Sequence, residues 1–377
     1  MIMLSVNNPV DDLRGESQME IKRFSILITI LCFILVFGTF HFFQSSGQSA
    51  LAAEIDALKP GGVIAIGALT GTSVVIAQGL ASKIQEKLGI RAVVTSGLPS
   101  SALVRLMITG DTLLTIAPPD TIGFAYRGEV FFEDDGPQPV RSIQGTHKIT
   151  YILIARKNSG INSVDDLKGK RFMFSSKFMP AMNQFGRLLM KYKGWTEDDL
   201  KVLTLTRGQD AMTALRDRTT DAIVWAFGDK APDLTELALT LSIKLVPLRE
   251  DEQKFLLENN AYYMPSVIPA GMYKGQNDEV RSVGAQQELI CLKNTPEDFV
   301  YSIAKIMLDS CPDCASPGDF TKFHPIGGSF TPSDMGERAK TSPLHVGAVR
   351  YLKEKGCWSP KIQKLHEELL AIRGEKN

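Results

Sequence analysis

An α/β protein, with parallel sheets covered by helices on both faces, is what this sequence predicts, and three observations carry the prediction. From residue 63 onward, short apolar runs alternate with amphipathic stretches, which is the pattern of strands joined by crossover helices. The runs are bounded by polar residues, Gly or Pro, as buried strands are. Ser, Thr or Asp stands near the start of several amphipathic stretches, where helix N-caps belong.

In chain order the strand-like runs are VIAIGAL (63–69), RAVVTS (91–96), LLTIA (113–117), ITYILIA (149–155), KRFMFS (170–175), KVLTLT (201–206), DAIVWAF (221–227) and IKLVPL (243–248). Between them, IAQGLASKIQEKLG and GQDAMTALRDRT space their apolar residues as a helix face does. Asp165 and Asp166 read as the start of a helix capped by Ser163, and Asp198 and Asp199 repeat that logic behind Thr196. Neither acidic pair needs an acid–base role. After residue 270 come RSVGAQQELICL, the helix-like TPEDFVYSIAKIML, a Cys/Pro/Gly loop and a charged terminal helix. At about 150 residues per domain, the 377 residues favour two domains.

Lys+Arg and Asp+Glu both number 42, so no basic field gathers nucleic acid, and none is expected as a partner. The chain lacks a Walker sequence, a G-x-S-x-G elbow and H-E-x-x-H. GALTGTS after the first run is not spaced as a dinucleotide fingerprint, and no acidic residue closes the second run to hold a ribose. A tight turn presenting backbone N–H groups is the better reading. The five histidines are scattered without carboxylate or cysteine neighbours at ligand spacing; His345 reads as structural. With no nucleophile–base pair, an enzyme is not expected, nor is a cofactor or a catalytic metal.

Lys22 and Arg23 precede an apolar run at 24–43, followed by the small-residue stretch SALAAE. That order makes residues 1–52 an export signal cleaved after Ala52, or an N-terminal membrane anchor, because the apolar run is as long as a spanning helix needs. Four cysteines follow: Cys291, Cys311, Cys314 and Cys357. In an exported chain at least one disulfide is expected, involving the Cys311–Cys314 loop; a zinc knuckle would have to recruit His324 or Cys357.

In parallel sheets, ligands sit where loops leave the carboxyl ends of strands and helix N-termini present free N–H groups. Thr70, Gly71, Thr72 and Asp120 on one side, and Phe178, Trp225 and Gly228 on the other, are therefore candidate ligand contacts. Ser100, Ser101, His147, Met179 and Asp229 complete the set. Each has a plainer alternative: Ser100 and Ser101 as a helix cap, Phe178, Met179 and Trp225 as core.

SGINSVDDLKGKR at 159–171, IPAGMYKGQ at 268–276 and PLHVGAVRYLKEKG at 343–356 stand in an order and spacing that resemble the TAXI-type solute-binding proteins of TRAP transporters. The resemblance spans roughly residues 60 to 357. It implies a two-lobed fold, periplasmic binding protein type II-like, with crossing hinge strands. Lobe 1 would be 58–150 plus 275–377 and lobe 2 would be 151–274, with ITYILIA crossing between them and the chain returning near IPAGMY. It also implies periplasmic capture of an organic acid or amino acid, hinge closure, and delivery to a TRAP permease.

Where that family has a Gly-Gly-Ser turn and an Asn, this chain has Gly97-Leu98-Pro99, then Ser100, Ser101 and Ala102. Pro118-Pro119 replaces a polar pair before Asp120, and Phe178-Met179-Pro180-Ala181 replaces a Gly-Ser-Gly-Thr turn. The expected ligand is accordingly more apolar than glutamate. A chain that kept 24–43 would sit on the inner membrane, where the alternative is an anchored ligand-sensing or scaffold protein.

Overall fold

The structure is a computed structural model and describes residues 57–176, 180–205, 210–228, 231–320, 331–333 and 341–375. The leader expected at 1–52, and Phe178, Met179, Asp229 and His324, lie outside the described residues. Pro60–Asn377 forms one compact unit.

Strand β1 (Val63–Ala68) leads into helix α1 (Thr72–Leu88). The helix stops at Gly89, which takes the left-handed conformation at φ 69° and returns its N–H to Gln85 O. Strand β2 (Arg91–Ser96) pairs parallel with β1. Helix α2 (Ser100–Ile108) brings the chain to β3 (Leu114–Ala117), parallel to β1 on its other side. Helix α3 (Pro119–Arg127) begins with Pro at a position where a missing N–H costs nothing, and ends at Gly128 with φ 70°.

The 17 residues of β4 (Val140–Arg156) span roughly 55 Å. Its first part pairs antiparallel with β10 (Val280–Leu292), and its last part with β7 (Ala222–Phe227) and β8 (Ile243–Val246). Between β4 and β7 lie β5 (Arg171–Ser176), α4 (Pro180–Lys193), β6 (Lys201–Leu205) and α5 (Asp210–Arg216), with β6 and β7 both parallel to β5. Helices α6 (Pro232–Thr240) and α7 (Glu250–Asn259) flank β8. Strand β9 (Met264–Ile268) then pairs antiparallel with β10. Helices α8 (Glu297–Leu308), α9 (Val346–Glu354) and α10 (Pro360–Ala371) complete the described chain.

The result is one continuous mixed sheet of ten strands among the described residues, ordered β2-β1-β3-β10-β4-β7-β5-β6, with β8 on β4 and β9 on β10. The separate parallel sheets expected from the sequence are in fact parallel ends welded by antiparallel β4 and β10. Both caps read from the sequence form. Ser163 and Asp166 bond each other's ends of the turn Val164–Leu167, and Thr196 and Asp199 do so at Glu197–Asp199.

The polar first part of β4 is buried because distant residues satisfy it. Ser142 N–H donates to Pro343 O at 3.0 Å, and His345 N–H donates back to Ser142 O at 2.9 Å. Ser142 Oγ at 2.6 Å and Thr341 Oγ1 at 2.8 Å donate to Glu288 Oε2. Burial nevertheless raises the Glu288 carboxyl to about 7. His345 caps α9 by accepting from Gly347 N–H at 3.1 Å, and burial lowers its imidazole to about 4. Where β4 ends, Asp221 accepts from both Arg156 and Arg171 at 2.8 Å, which keeps it well below the usual carboxylate range and ties β4, β5 and β7 together. A disulfide joins Cys314 to Cys357, while Cys291 and Cys311 remain buried thiols.

Candidate ligand cleft

Strand β1 ends at Ala68, and the chain turns through Leu69, Thr70 and Gly71 into α1. Gly71 has φ 54°, a conformation in which a Cβ is strained, and no neighbouring atom lies within 4 Å of where that Cβ would be. Glycine here serves the turn and not a close approach. Across from it, β7 ends at Phe227, Gly228 follows, and α6 starts at Pro232. These two strand-to-helix junctions, together with His147 and Ile149 of β4 and Gln287 of β10, wall a narrow cleft of about 40 Å³.

One wall is polar. Thr70, Thr72 and Ser73 lie there, and Ser73 Oγ donates to Gln287 Oε1 at 3.0 Å. The other is apolar, with Trp225 and Phe227 at 6.1 Å between ring centroids. The walls already touch: a Cβ on Gly228 would lie 2.8 Å from Thr72 Oγ1 and 3.6 Å from His147 Cδ2. In the sheet, β1 and β7 are separated by β3, β10 and β4, so the contact bridges elements from either side of the two long strands. Gly228→Val is expected to wedge the walls apart. Trp225, 7% exposed here, should then emit further to the red, with Trp225→Phe as the control, at a stability cost of about 1–3 kcal/mol. An unshifted spectrum would mean that the walls do not meet in solution.

Because β3 runs parallel to β1, its carboxyl end delivers Pro118, Pro119 and Asp120 to the same edge of the sheet as Thr70–Thr72. Asp120 is 3% exposed, and neither carboxylate oxygen has a hydrogen-bond partner. Burial raises it to about 6, against the smaller opposing pull of the Thr121 amide, its own amide and the Thr121 hydroxyl, which lie near without completing a hydrogen bond. The Thr121 hydroxyl is instead 2.9 Å from Ser100 Oγ. Nearby, Tyr262 lies over Gly123, where an added Cβ would collide with its hydroxyl, and Arg127 donates to that hydroxyl.

Of the residues singled out in the sequence, Thr70, Gly71, Thr72, His147, Trp225 and Gly228 line the cleft. Ser100 and Ser101 open α2, buried and outside the lining. Asp120 lies at the start of α3, likewise outside it. Trp225 belongs to the core and to the wall at once. Sequence reasoning missed Ser73, Ile149 and Gln287, while Phe227 is the aromatic neighbour that the sequence offers beside Trp225.

Fold and cleft together define a mixed-sheet α/β protein with an open-mouthed cleft at the carboxyl ends of its parallel strands. The chain belongs to the NMT1-like family, whose profile matches residues 64–356. Among solved structures it is similar to the periplasmic aliphatic sulphonate binding protein SsuA of Escherichia coli, at 13% identity over 82% of this chain and 86% of that one, with a TM-score of 0.42. A mutant of ArgBP from T. maritima matches at 14% identity over 84% and 99%, with a TM-score of 0.42. A putative L-cystine ABC transporter from Listeria monocytogenes matches at 13% over 83% and 98%, with a TM-score of 0.41.

Proposed function

We propose that this chain is an exported, non-enzymatic solute-binding protein that closes lobe 1 (58–150 plus 275–377) and lobe 2 (151–274) around a small organic molecule in the periplasm and delivers it to a TRAP-type permease. The observation that carries this reading is the contact of the β1–α1 turn with the end of β7 at Thr72 and Gly228, across the two long strands. Elements on either side of a two-strand connection that meet at a cleft are arranged for hinge closure. Membership of the NMT1-like family and the motifs at 159–171, 268–276 and 343–356 support the same reading.

The ligand is more apolar than glutamate. Leu69, Ile149, Trp225 and Phe227 supply apolar wall, and Pro118 and Pro119 offer no N–H where the chain enters α3. A dicarboxylate removed from water would need several charge-assisted donors, and none of the lining residues is a Lys or Arg. Calorimetry and thermal melts against amino acids, dicarboxylates, aromatic acids and medium-chain fatty acids test this. An apolar ligand at a hundredfold excess over its Kd should stabilise the protein by about 2.7 kcal/mol. Glutamate or a dicarboxylate binding more tightly than every apolar candidate would overturn it.

The apolar run at 24–43 favours a second reading, an anchored sensor or scaffold built on the same cleft. Mass spectrometry of the exported protein separates the two: an N-terminus at Ala53 leaves no anchor.

A further inference from the structure

We infer that Asp120, Tyr151 and Tyr263 form the seat for a positively charged nitrogen, so that the solute is a protonated amine carrying an apolar body. This assignment rests on the solute-binding reading above and names the substrate class of that protein.

The chain contains its own controls for what an acidic residue in a first helical turn ordinarily does. Asp166 accepts from the N–H groups of Asn162 and Ser163, both at 2.9 Å, and Asp199 accepts from Thr196 N–H at 3.0 Å. Both are thereby held below the usual carboxylate range, chiefly by those backbone hydrogen bonds. Asp120 is also an acid in a first helical turn, that of α3, but it is the second residue, behind Pro118 and Pro119, which have no N–H to give; it is buried and neither oxygen has a partner. No cation is among the groups that shift it. Arg127, about two turns further along the helix, gives its guanidinium to Tyr262 Oη and Gly123 O.

Tyrosines pack on this side of α3: the Tyr262 hydroxyl lies over Gly123, about one helical turn from Asp120, and burial together with the Asp120 charge raises three tyrosine hydroxyls. They are Tyr151 of β4, and Tyr262 and Tyr263 of the segment after α7. Tyr151 and Tyr263 are both buried, with ring centroids 5.2 Å apart and planes tilted by 49°. Tyr151 also stacks on Phe185 of α4 at 5.8 Å. Helix α3 touches α4 here, so this aromatic cluster lies where elements on either side of the long strands meet. Its aromatic faces attract a cation through their quadrupoles, and a carboxylate deprived of water attracts one through its charge. A carboxylate alone, in such surroundings, is costly to bury, and an incoming ammonium group supplies the missing charge and donors together. An anionic solute meets like charge at the same place and is rejected.

The experiment uses the mature chain from Ala53 with benzylammonium, n-hexylammonium and L-arginine as cationic probes, and benzoate, hexanoate and glutamate as anionic ones. Binding is read by calorimetry between pH 5 and 8. At least one cationic probe should bind and the matching anions should not. L-Arginine distinguishes a guanidinium seat from an ammonium seat. Asp120→Asn should weaken the bound amine about a hundredfold, Tyr263→Leu about tenfold, and Tyr263→Phe, which keeps the ring, less than about threefold. In the unaltered protein the amine should weaken about tenfold per pH unit below 6, as protons compete for Asp120. Thermal melts confirm that each variant is folded.

Anions that bind while every amine fails would overturn the assignment and leave the solute-binding reading standing. An amine whose affinity and pH profile are unchanged in Asp120→Asn would do the same. Failure of both probe sets, together with the wider panel of neutral solutes, would remove the solute-binding reading and this assignment with it.

Discussion

A variant carrying Cys314→Ser and Cys357→Ser is expected to lose about 4 kcal/mol of stability, a fall in Tm of roughly 6 °C for a chain of this size. The two cysteines are 43 residues apart, and a closed loop of that length removes a large share of the unfolded chain's freedom. In the folded state the bond fastens the loop after α8 to the end of α9, which pack against each other. Cys314 O accepts from Ser333 N–H at 2.8 Å and Cys357 N–H donates to Leu352 O at 2.8 Å, so both ends of the crosslink are already held by backbone hydrogen bonds. The loss should therefore appear as faster unfolding from a native state little changed in shape. Urea melts of the variant and the oxidised protein measure it. Thiol titration of the unfolded, unreduced chain from Ala53 should count only Cys291 and Cys311; four free thiols would refute the bond.

That bond also shows where the sequence stops being legible. The four cysteines beyond the apolar run at 24–43 point to a disulfide, but not to its pairing: the two cysteines of Cys311-Pro-Asp-Cys314 do not bond each other, and the partner comes from a helix end far along the chain. The eight strand-like runs each contain a strand, because each is short, apolar and bounded by polar or turn-forming residues. Strands β9 and β10 and the first part of β4 escaped for a physical reason. In β10 nearly every residue is buried, so no two-residue alternation marks a face, and Gly284, Gln286, Gln287 and Glu288 break up its apolar run. In β4, Arg141, Ser142, Gln144 and Thr146 resemble a loop until Glu375, Glu288, Thr331 and Gln287 arrive to bond them. The cleft was legible as strand ends. The tyrosines were not, because only the folded chain brings Tyr151 and Tyr263 together, and neither stands in a motif.

At pH 7, Asp120→Asn is expected to make the ligand-free protein more stable by up to about 3 kcal/mol, while removing its capacity for an amine. Burial raises the Asp120 carboxyl from 3.8 to about 6 in the folded protein. A carboxyl whose folded pKa lies above its unfolded value favours the folded state when protonated. Its contribution is complete below pH 3.8 and is lost as pH rises through 6, so at pH 7 the native state carries a buried charge that the unfolded state exposes to water. Asparagine has nearly the same shape and no charge, and its stability has no such slope. The two proteins should therefore melt together near pH 4 and diverge between pH 4 and 7, with the variant higher. Glu288, also raised by burial, to about 7, contributes a slope of the same sign, but it is present in both proteins and cancels in their difference. If the variant were instead less stable at pH 7, Asp120 would have a partner in the folded chain that stabilises its charge, and the case for a ligand's cation in that place would lose its basis. If the variant is more stable at pH 7 and no longer binds an amine, the carboxylate is kept at a cost to folding that a bound ammonium group would offset at that pH.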